Sequence, residues 1–267
     1  MIPPASHPLD LRPTMDDPAI AFRGVCYRAQ GCLLLGPLDL EVQRGQTLVL
    51  LGRSGSGKTT ALKLINRLLE ESEGTVLVDG RPTREWDVIA LRRRIGYVIQ
   101  ETGLFPHYTV ERNVGLVPRL QGKSDAEIRE RVDSMLRLVD LDPQQFRPRY
   151  PHQLSGGQRQ RVGVARALAG DPEILLMDEP FGALDPLSRA ELQQQFLQIQ
   201  KRVQKTTVLV THDVGEALLL ANRIALLEGG KLLGAFSQSE FLKSSDSTVA
   251  AYRAAWSGNM QWHGSGS

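Results

Sequence analysis

Short apolar runs alternate along this chain with longer segments of helical periodicity. Three of these runs have the length of a buried strand: residues 47–51, 174–177 and 207–210. Strands that alternate with helices in this way usually form a mostly parallel sheet with helices packed on its faces. The pattern therefore predicts an α/β fold with a mostly parallel core sheet.

Other patterns predict how the sheet is extended. Residues 74–78 run into an Asp79-Gly80 turn signal, which predicts an N-terminal antiparallel β layer. A helix is predicted over 58–69, and a long polar helix over 185–205 has an apolar side at Leu192, Phe196 and Ile199. Residues 223–227 and 231–236, joined by 228–230, predict a terminal hairpin.

The segment from 101 to 169 lacks strong strand patterns and is predicted to be an inserted helical subdomain. Ser124 and Glu127 have the spacing of a capping box that opens a helix. The positions that follow at helical spacing predict a buried face: Ile128, Val132, Met135, Leu136 and Val139. The predicted organisation is a flexible lead-in over 1–18, one main domain over 19–243 and a C-terminal tail over 244–267.

Composition excludes several classes of protein. The 267 residues include 32 basic and 30 acidic side chains, a net charge of +2, so a protein that coats nucleic acid is not expected. No apolar run approaches the roughly 20 residues of a membrane-spanning helix, and the start does not resemble a secretory signal. The two cysteines, Cys26 and Cys32, are predicted to be reduced thiols of a cytosolic protein.

A glycine-rich octapeptide, Gly52-Arg-Ser-Gly-Ser-Gly-Lys-Thr59, follows the first buried run. Its glycines permit backbone angles that let main-chain N–H groups surround phosphates, and the next helix points its positive end at the same anion. Lys58 would supply charge to the β and γ phosphates, and Thr59 an oxygen to Mg²⁺. The predicted nucleotide-binding residues here are Gly52, Arg53, Ser54, Gly55, Ser56, Gly57, Lys58, Thr59 and Thr60.

Two acids follow the apolar run at 174–177. Asp178 could hold Mg²⁺ through its water shell, and Glu179 could polarise an attacking water. Adjacent residues of a strand face opposite ways, so we expect the strand to end where both side chains reach the site. Earlier in the chain, the segment Leu154-Ser-Gly-Gly-Gln158 opens another predicted helix.

The octapeptide, the Ser-Gly-Gly-Gln segment and the acid pair, in this order and spacing, resemble the ATP-binding cassette (ABC) ATPases. The resemblance covers roughly residues 19–241 and implies an ABC ATPase fold of the P-loop NTPase class, with ATP and Mg²⁺ as cofactors. It implies catalytic roles for Glu179, for His212 as a switch at the γ phosphate, and for Gln100 near the attacking water. It implies Mg²⁺ ligation by Thr59, Gln100 and Asp178.

The resemblance also implies a head-to-tail homodimer. Ser155, Gly156, Gly157 and Gln158 of one copy would contact the γ phosphate held by the other, and Asp185 would lie in the loop through which the copies communicate. The family usually stacks adenine on an aromatic residue of the N-terminal β layer. The expected position is nearer Ala29, and Tyr27 is the nearest aromatic candidate.

Within that family the chain is most similar to the ATPase subunits of osmoprotectant importers, which take up quaternary amines such as glycine betaine, choline and carnitine. The matching segments are residues 93–100, 103–107, 149–154 and 180–187. This implies membrane permease partners contacting the region of Gln100 and the loop from Gly103 to Val110. It also implies that the chain serves a solute-binding protein indirectly and lies peripherally on the cytoplasmic face of the plasma (inner) membrane. Many members of this group carry a C-terminal pair of regulatory CBS domains, which are not expected here because this sequence stops soon after Phe241.

Several alternatives remain at this point. The chain could serve another solute, or be a regulatory ABC protein that does not transport. DNA-repair and chromosome-organising ATPases share these motifs but place long coiled coils between them, and about a hundred residues without heptads leave no room for one. Ribosome-directed ABC proteins carry two cassettes in one chain.

Overall fold

The computed structural model describes residues 17–100 and 103–262. Within these residues ten strands form two sheets: β1 (Ile20–Ala29), β2 (Cys32–Val42), β3 (Thr47–Leu51), β4 (Glu73–Val78), β5 (Arg81–Pro82), β6 (Ile95–Val98), β7 (Ile174–Asp178), β8 (Thr206–Thr211), β9 (Arg223–Glu228) and β10 (Lys231–Phe236). Most of the predicted lead-in, residues 1–16, lies outside the described residues, as do 101–102 and 263–267.

The smaller sheet is antiparallel and has the order β2-β1-β4-β5. Strands β4 and β5 are joined by Asp79 and Gly80, whose φ angles of 53° and 74° are those of a tight hairpin turn. The predicted N-terminal antiparallel layer is therefore confirmed.

The larger sheet has the order β10-β9-β3-β8-β7-β6. Its five strands from β9 to β6 are mutually parallel, and β10 pairs antiparallel with β9 as the predicted terminal hairpin. The predicted α/β class with a mostly parallel core sheet is confirmed. Because parallel strands end at the same edge, the loops after β3, β6, β7 and β8 gather there.

Eleven α-helices complete the described residues: α1 (Lys58–Ile65), α2 (Val88–Arg93), α3 (Val110–Val114), α4 (Leu116–Leu120), α5 (Asp125–Leu138), α6 (Pro143–Phe146), α7 (Gly156–Ala169), α8 (Pro186–Val203), α9 (Val214–Leu220), α10 (Gln238–Lys243) and α11 (Ser247–Trp262). Residues 103–169, all of them described, contain α3 to α7 and no strand. The boundaries assigned to the subdomain and the main domain stay predictions.

Helix α5 forms as its sequence predicts. The Ser124 hydroxyl accepts from the Glu127 backbone N–H, and the Glu127 carboxylate accepts from the Ser124 N–H at 2.9 Å, which completes the capping box. All five side chains of the predicted apolar face are buried.

Strand β3 is shared by two hydrophobic cores. Leu48 and Leu50 pack with the N-terminal sheet and α1, whereas Val49 and Leu51 pack with the helices on the opposite face. Alternation along the strand thus places the loop after Leu51 between two packed layers.

The structure corrects the bounds of several predicted elements. Helix α1 ends at Ile65 instead of 69, because Arg67 takes a left-handed φ of 55° that a helix cannot continue through. Helix α8 begins after Asp185, which caps it, and ends before Gln204, where φ is 47°. Strand β7 runs one residue further than predicted and includes Asp178.

The segment predicted as a C-terminal tail contains α11, which packs against α9. Its Val249 side chain is fully buried, and Tyr252 and Trp256 pack against the same core. Burial of this apolar side explains why the segment is helical and docked.

Candidate active site

The phosphate loop connects the end of β3 to the start of α1. Gly57 precedes the helix with a left-handed φ of 96°, and a Cβ at that position would lie 2.9 Å from the Leu35 side chain. At Gly52 a Cβ would lie 2.2 Å from the Leu227 carbonyl oxygen. Close packing therefore requires glycine at both positions, and at Gly57 the backbone angle requires it as well.

Lys58 is held over the loop by the loop itself. Its Nζ donates to the carbonyl oxygens of Gly52 and Arg53, each at 2.8 Å, and the residue is only 4% exposed. Burial lowers the pKa of Lys58, and the nearby charges of Glu179 and Asp178 oppose that shift. The ammonium group is thus already positioned at the loop that would receive an anion.

The first acid lies beside the helix that follows the loop. Asp178 ends β7 at 8% exposure, and its Oδ1 accepts a hydrogen bond of 2.9 Å from the Thr59 hydroxyl. Burial raises the pKa of Asp178 above the ordinary aspartate value, and the Thr59 hydrogen bond opposes that shift. A hydroxyl and a carboxylate oxygen side by side are the hard donors that Mg²⁺ prefers.

The second acid reaches the same edge because the strand ends abruptly. Glu179 takes a left-handed φ of 44°, and its backbone N–H donates to Val210 O at 3.0 Å. This turn brings the Glu179 carboxylate to 3.3 Å from Nδ1 of His212, which follows β8. The structure thus agrees with the expectation that the strand ends where both acids can reach one site.

Thr59, Glu179 and His212 line a cavity of about 620 Å³ at the carboxyl edge of the larger sheet. Its lining residues are Gly52, Arg53, Ser54, Thr59, Gln100, Glu179, His212 and Tyr252. The cavity collects residues from the loops after β3, β6, β7 and β8. Seven of its eight lining residues were predicted from the sequence, and the eighth is Tyr252.

The Ser-Gly-Gly-Gln segment lies elsewhere in the same chain. Ser155 caps α7: its hydroxyl accepts from the Gln158 N–H at 3.2 Å, and the Gln158 side chain accepts from the Ser155 N–H at 3.0 Å. A Cβ built at Gly156 would lie 3.5 Å from the Leu184 side chain. Among the residues that the structure describes, none of the four lines the 620 Å³ cavity.

Asp185 is next to that segment. It caps α8 by accepting from the Ser188 backbone N–H at 3.0 Å, and its hydrogen bonds with Ser188 lower its pKa. Gly157 faces the same turn, since a Cβ built there would lie 3.8 Å from the Ser188 Cβ. The Ser-Gly-Gly-Gln segment and the loop that contains Asp185 therefore form one surface.

Tyr27 is not brought to the cavity. It lies on β1 opposite Leu35 of β2, is half-buried, and packs against the core of the N-terminal layer. Of the described residues that line the 620 Å³ cavity, Tyr252 is the sole aromatic other than His212, and Tyr27 is not among them. Adenine stacking by Tyr27 stays a prediction.

Tyr252 is a residue of this site that sequence reasoning missed. It lies on α11 and also lines an adjoining cavity of about 820 Å³ together with Arg53, His212 and Trp256. Burial raises the pKa of Tyr252, and interactions with Arg53 oppose that shift. The spacing of Val249, Tyr252 and Trp256 is that of one helix face, and this signal could have identified α11.

The loop from Gly103 to Val110 is anchored from below. The Asn113 side chain is fully buried; it accepts from the Phe105 N–H at 2.8 Å and donates to the carbonyl oxygens of Phe105, Tyr108 and Thr109. Leu104 packs against the core, while Phe105 is 40% exposed. The loop is therefore a rigid projection with an accessible aromatic ring.

The described residues contain neither a membrane-spanning helix nor a cluster of metal-ligand side chains. None of their helices is long and apolar enough to cross a membrane. Nor do they contain a cluster of three or more histidine, cysteine or acidic side chains arranged for a metal ion.

Comparisons with known proteins match this geometry. A family model described as ABC transporter matches residues 35–182. The glycine betaine/carnitine/choline transport ATP-binding protein OpuCA of Bacillus subtilis is 48% identical over 78% of this chain and 54% of its own length. The glycine betaine uptake system ATP-binding protein YehX of Escherichia coli is 53% identical over 73% of this chain and 63% of its own.

A solved structure is similar over nearly its whole length. The ATP-binding cassette MJ0796, described as a dimer in a post-hydrolysis state bound to ADP and Pi, is 33% identical with a TM-score of 0.72. The alignment covers 82% of this chain and 98% of that one. By contrast, the chain spans little more than half the length of the curated relatives it matches.

Proposed function

Because this chain belongs to the ABC transporter family and has its ATPase fold, we propose that it is the ATP-hydrolysing subunit of an ABC importer. One observation carries the proposal. A buried lysine on a phosphate loop, the Thr59–Asp178 pair and the Glu179–His212 pair all face the same edge of one sheet. That set supplies charge neutralisation, metal ligation and activation of water together.

Hydrolysis would proceed by attack of water on the γ phosphorus. Glu179 orients that water and accepts its proton, while the bond between the γ phosphorus and the β–γ bridging oxygen breaks. Lys58 stabilises the charge that collects on the β and γ oxygens, and His212 contacts the departing phosphate. ADP and inorganic phosphate are the products.

The oxygen donors present fit a magnesium ion. Thr59 and Asp178 would hold it, with the Gln100 amide oxygen in the same cavity. When bound, Mg²⁺ neutralises phosphate charge and favours departure of ADP.

The active unit would be a head-to-tail dimer. Among the described residues of one copy, none of the Ser155 turn lines the cavity that contains Thr59 and Glu179, so we expect a second copy to supply that turn. The exposed N-terminus of α7 suits an anion, because its N–H groups and helix dipole both favour negative charge. The dimeric state of MJ0796 with ADP and Pi supports the same arrangement.

The partners of this dimer would be permease subunits in the membrane. Phe105 on the Asn113-anchored loop offers an apolar contact for a partner helix beside Gln100. This arrangement would place the chain on the cytoplasmic face of the plasma membrane as a peripheral subunit, serving a solute-binding protein indirectly. Because the similar proteins of Bacillus subtilis and Escherichia coli are named for glycine betaine, carnitine and choline transport, the solute would be a quaternary amine of this kind.

Glu179→Gln tests the hydrolytic role. The change keeps the shape and removes the charge that accepts the proton, so ATPase turnover should fall by about a hundredfold or more while ATP binding persists. Size-exclusion chromatography with ATP should then show an arrested dimer. Glu173→Gln is the matched control, because Glu173 directly precedes β7 on the opposite edge of the sheet. Unaltered turnover in Glu179→Gln would contradict the role.

The permease contact is tested by Phe105→Asp. The charge should abolish co-purification with the membrane subunits and ATP-driven uptake of labelled glycine betaine into vesicles, while ATPase activity of the separated chain persists. Leu242→Asp, at a leucine of α10 that is similarly exposed at 45%, should leave the complex intact. Equal loss in both variants would argue against a specific contact.

A further inference from the structure

A buried acid behind the site has no role in the chemistry described so far. Glu216 on α9 is 5% exposed, yet its two carboxylate oxygens accept hydrogen bonds from different elements. Oε2 accepts from the Thr211 hydroxyl at 2.5 Å, and Oε1 accepts from the Gln193 amide at 3.1 Å. A buried carboxylate is costly unless its oxygens are paired, and here both are.

One of these bonds fixes the segment that carries His212. Thr211 is the last residue of β8 and directly precedes His212. Its hydroxyl donates to Glu216 and accepts from the Asp213 N–H at 3.0 Å, so the residue before the histidine is bonded to the residue after it and to α9. The His212 side chain is itself 61% exposed, and its direction toward Glu179 depends on this segment.

The other bond connects that segment to α8. Gln193 lies two helical turns after Asp185, and Arg189 lies one turn after it, so these residues share a face. Arg189 lies 4.0 Å from the Asp213 carboxylate on the same side. The start of α8, where Asp185 borders the Ser155 turn, is thus joined to the His212 segment through Gln193 and Glu216.

Capping of α9 does not account for this arrangement. Asp213 caps the helix by accepting from the Glu216 backbone N–H at 3.1 Å, and this bond uses no atom of the Glu216 side chain. The carboxylate is therefore free to serve Thr211 and Gln193, which lie outside α9.

We infer that Glu216 is a positioning residue for hydrolysis, which holds the His212 segment in place through Thr211 and couples it to the Asp185 loop through Gln193. The inference rests on the proposed ATPase function. It predicts that binding of a second copy at the Asp185 loop changes the position of His212 in the same chain. The change would pass through the side chains of Gln193, Glu216 and Thr211.

The test uses the full chain with isosteric variants. Glu216→Gln and Thr211→Val should each lower kcat for ATP by about tenfold, with KM within about twofold, because the phosphate loop is untouched. Thr211→Ser keeps the hydroxyl and should recover most of the activity lost in Thr211→Val. Gln193→Leu, which breaks the link to α8 alone, should lower kcat by about threefold.

The matched control is Glu71→Gln. Glu71 is a similarly buried acid at 4% exposure, paired with Arg84 at 3.0 Å and absent from the described lining of the cavity. It should lose stability without losing kcat at temperatures well below melting. If Glu216→Gln and Thr211→Val also keep the wild-type kcat there, the inference is wrong.

A second measurement separates this inference from the proposed function. Amide hydrogen exchange should rise in Glu216→Gln at residues 212–217 and also at 187–189, and it should stay unchanged there in Glu71→Gln. If wild type and Glu179→Gln are equally inactive, the proposed function fails, and the exchange data alone decide whether the coupling exists. Faster exchange confined to α9, with the start of α8 unaffected, would overturn the coupling.

Discussion

The two halves of the proposed site are built in different ways on the same chain. The phosphate-loop half is buried between two cores, and its charged groups already have partners: Lys58 on loop carbonyls and Asp178 on Thr59. The half at the Ser-Gly-Gly-Gln segment is an exposed helix start, where the Ser155 and Gln158 side chains each accept from the other residue's backbone N–H. The first half is therefore complete within one copy, whereas the second is presented to a partner.

Two aspartates show the same contrast electrostatically. Burial raises the pKa of Asp178 in the first half, and hydrogen bonds from Ser188 lower the pKa of Asp185 in the second. One side chain type thus shifts in opposite directions because one site removes water and the other adds donors. The acid proposed to bind the metal ion is therefore buried, whereas the acid proposed to contact a second copy lies at the surface.

The largest expected effect comes from the buried half. Lys58→Ala removes the charge positioned for the β and γ phosphates, so kcat/KM for ATP should fall by about a thousandfold. Nucleotide binding measured by calorimetry should weaken as well. Lys201→Ala, at an exposed lysine of α8, is the control and should behave as wild type. Wild-type ATPase activity in Lys58→Ala would show that the phosphate-loop half is not the catalytic half of the site.

Mixing variants would show directly that the halves belong to different copies. Lys58→Ala and Ser155→Arg should each be inactive alone. Equal mixing should restore up to about a quarter of wild-type activity, because half of the dimers are mixed and each has one intact site. No recovery, with dimer formation confirmed by scattering, would indicate that each copy works alone.

Ser155→Ala should have an intermediate effect. It removes one phosphate contact and the cap of α7, so kcat should fall by about tenfold and stability by about 1 kcal/mol. Ser124→Ala removes an equivalent capping box from α5 and should cost similar stability with unchanged kcat. Calorimetric melting and ATPase assays on both variants would separate the loss of stability from the loss of kcat. Equal kcat in the two variants would indicate that Ser155 only caps α7 and does not contact phosphate.

The smallest effect is on titration. As pH falls, Asp178 should take up its proton above the ordinary aspartate value and Asp185 below it, as followed by carboxyl NMR. Since a lowered folded pKa gives stability above the ordinary pKa that is lost as pH falls through the folded value, Asp185→Asn should flatten the acid side of the stability curve. Titration of both groups in the same range would contradict the electrostatic contrast.

Short sequence patterns were sufficient to predict the phosphate-loop half of the site. The run before Gly52, the glycines and Lys58 lie within twelve residues, and the two acids follow their own strand directly. Such patterns encode both the element and the chemistry at once. For the same reason α5 and its capping box could be read from the sequence.

Tertiary pairing explains what the sequence did not predict. Glu216 gains its role from Gln193, 23 residues earlier on another helix, and no spacing rule connects them. Helix α1 ends early through a left-handed residue, Arg67, that carries no turn signature. Tyr252 lies near the phosphate loop because α11 packs against the core. The glycine- and serine-rich sequence around α11 led to the prediction of a tail there instead of a helix.

Strand β3 has one more consequence, for how the protein denatures. Leu48 and Leu50 belong to one core, and Val49 and Leu51 to the other. Unfolding of this strand therefore disrupts both cores at the same time. Chaotropes should therefore unfold both layers in a single cooperative transition. Nucleotide-binding competence would then vanish with the last of the tertiary structure and not ahead of it.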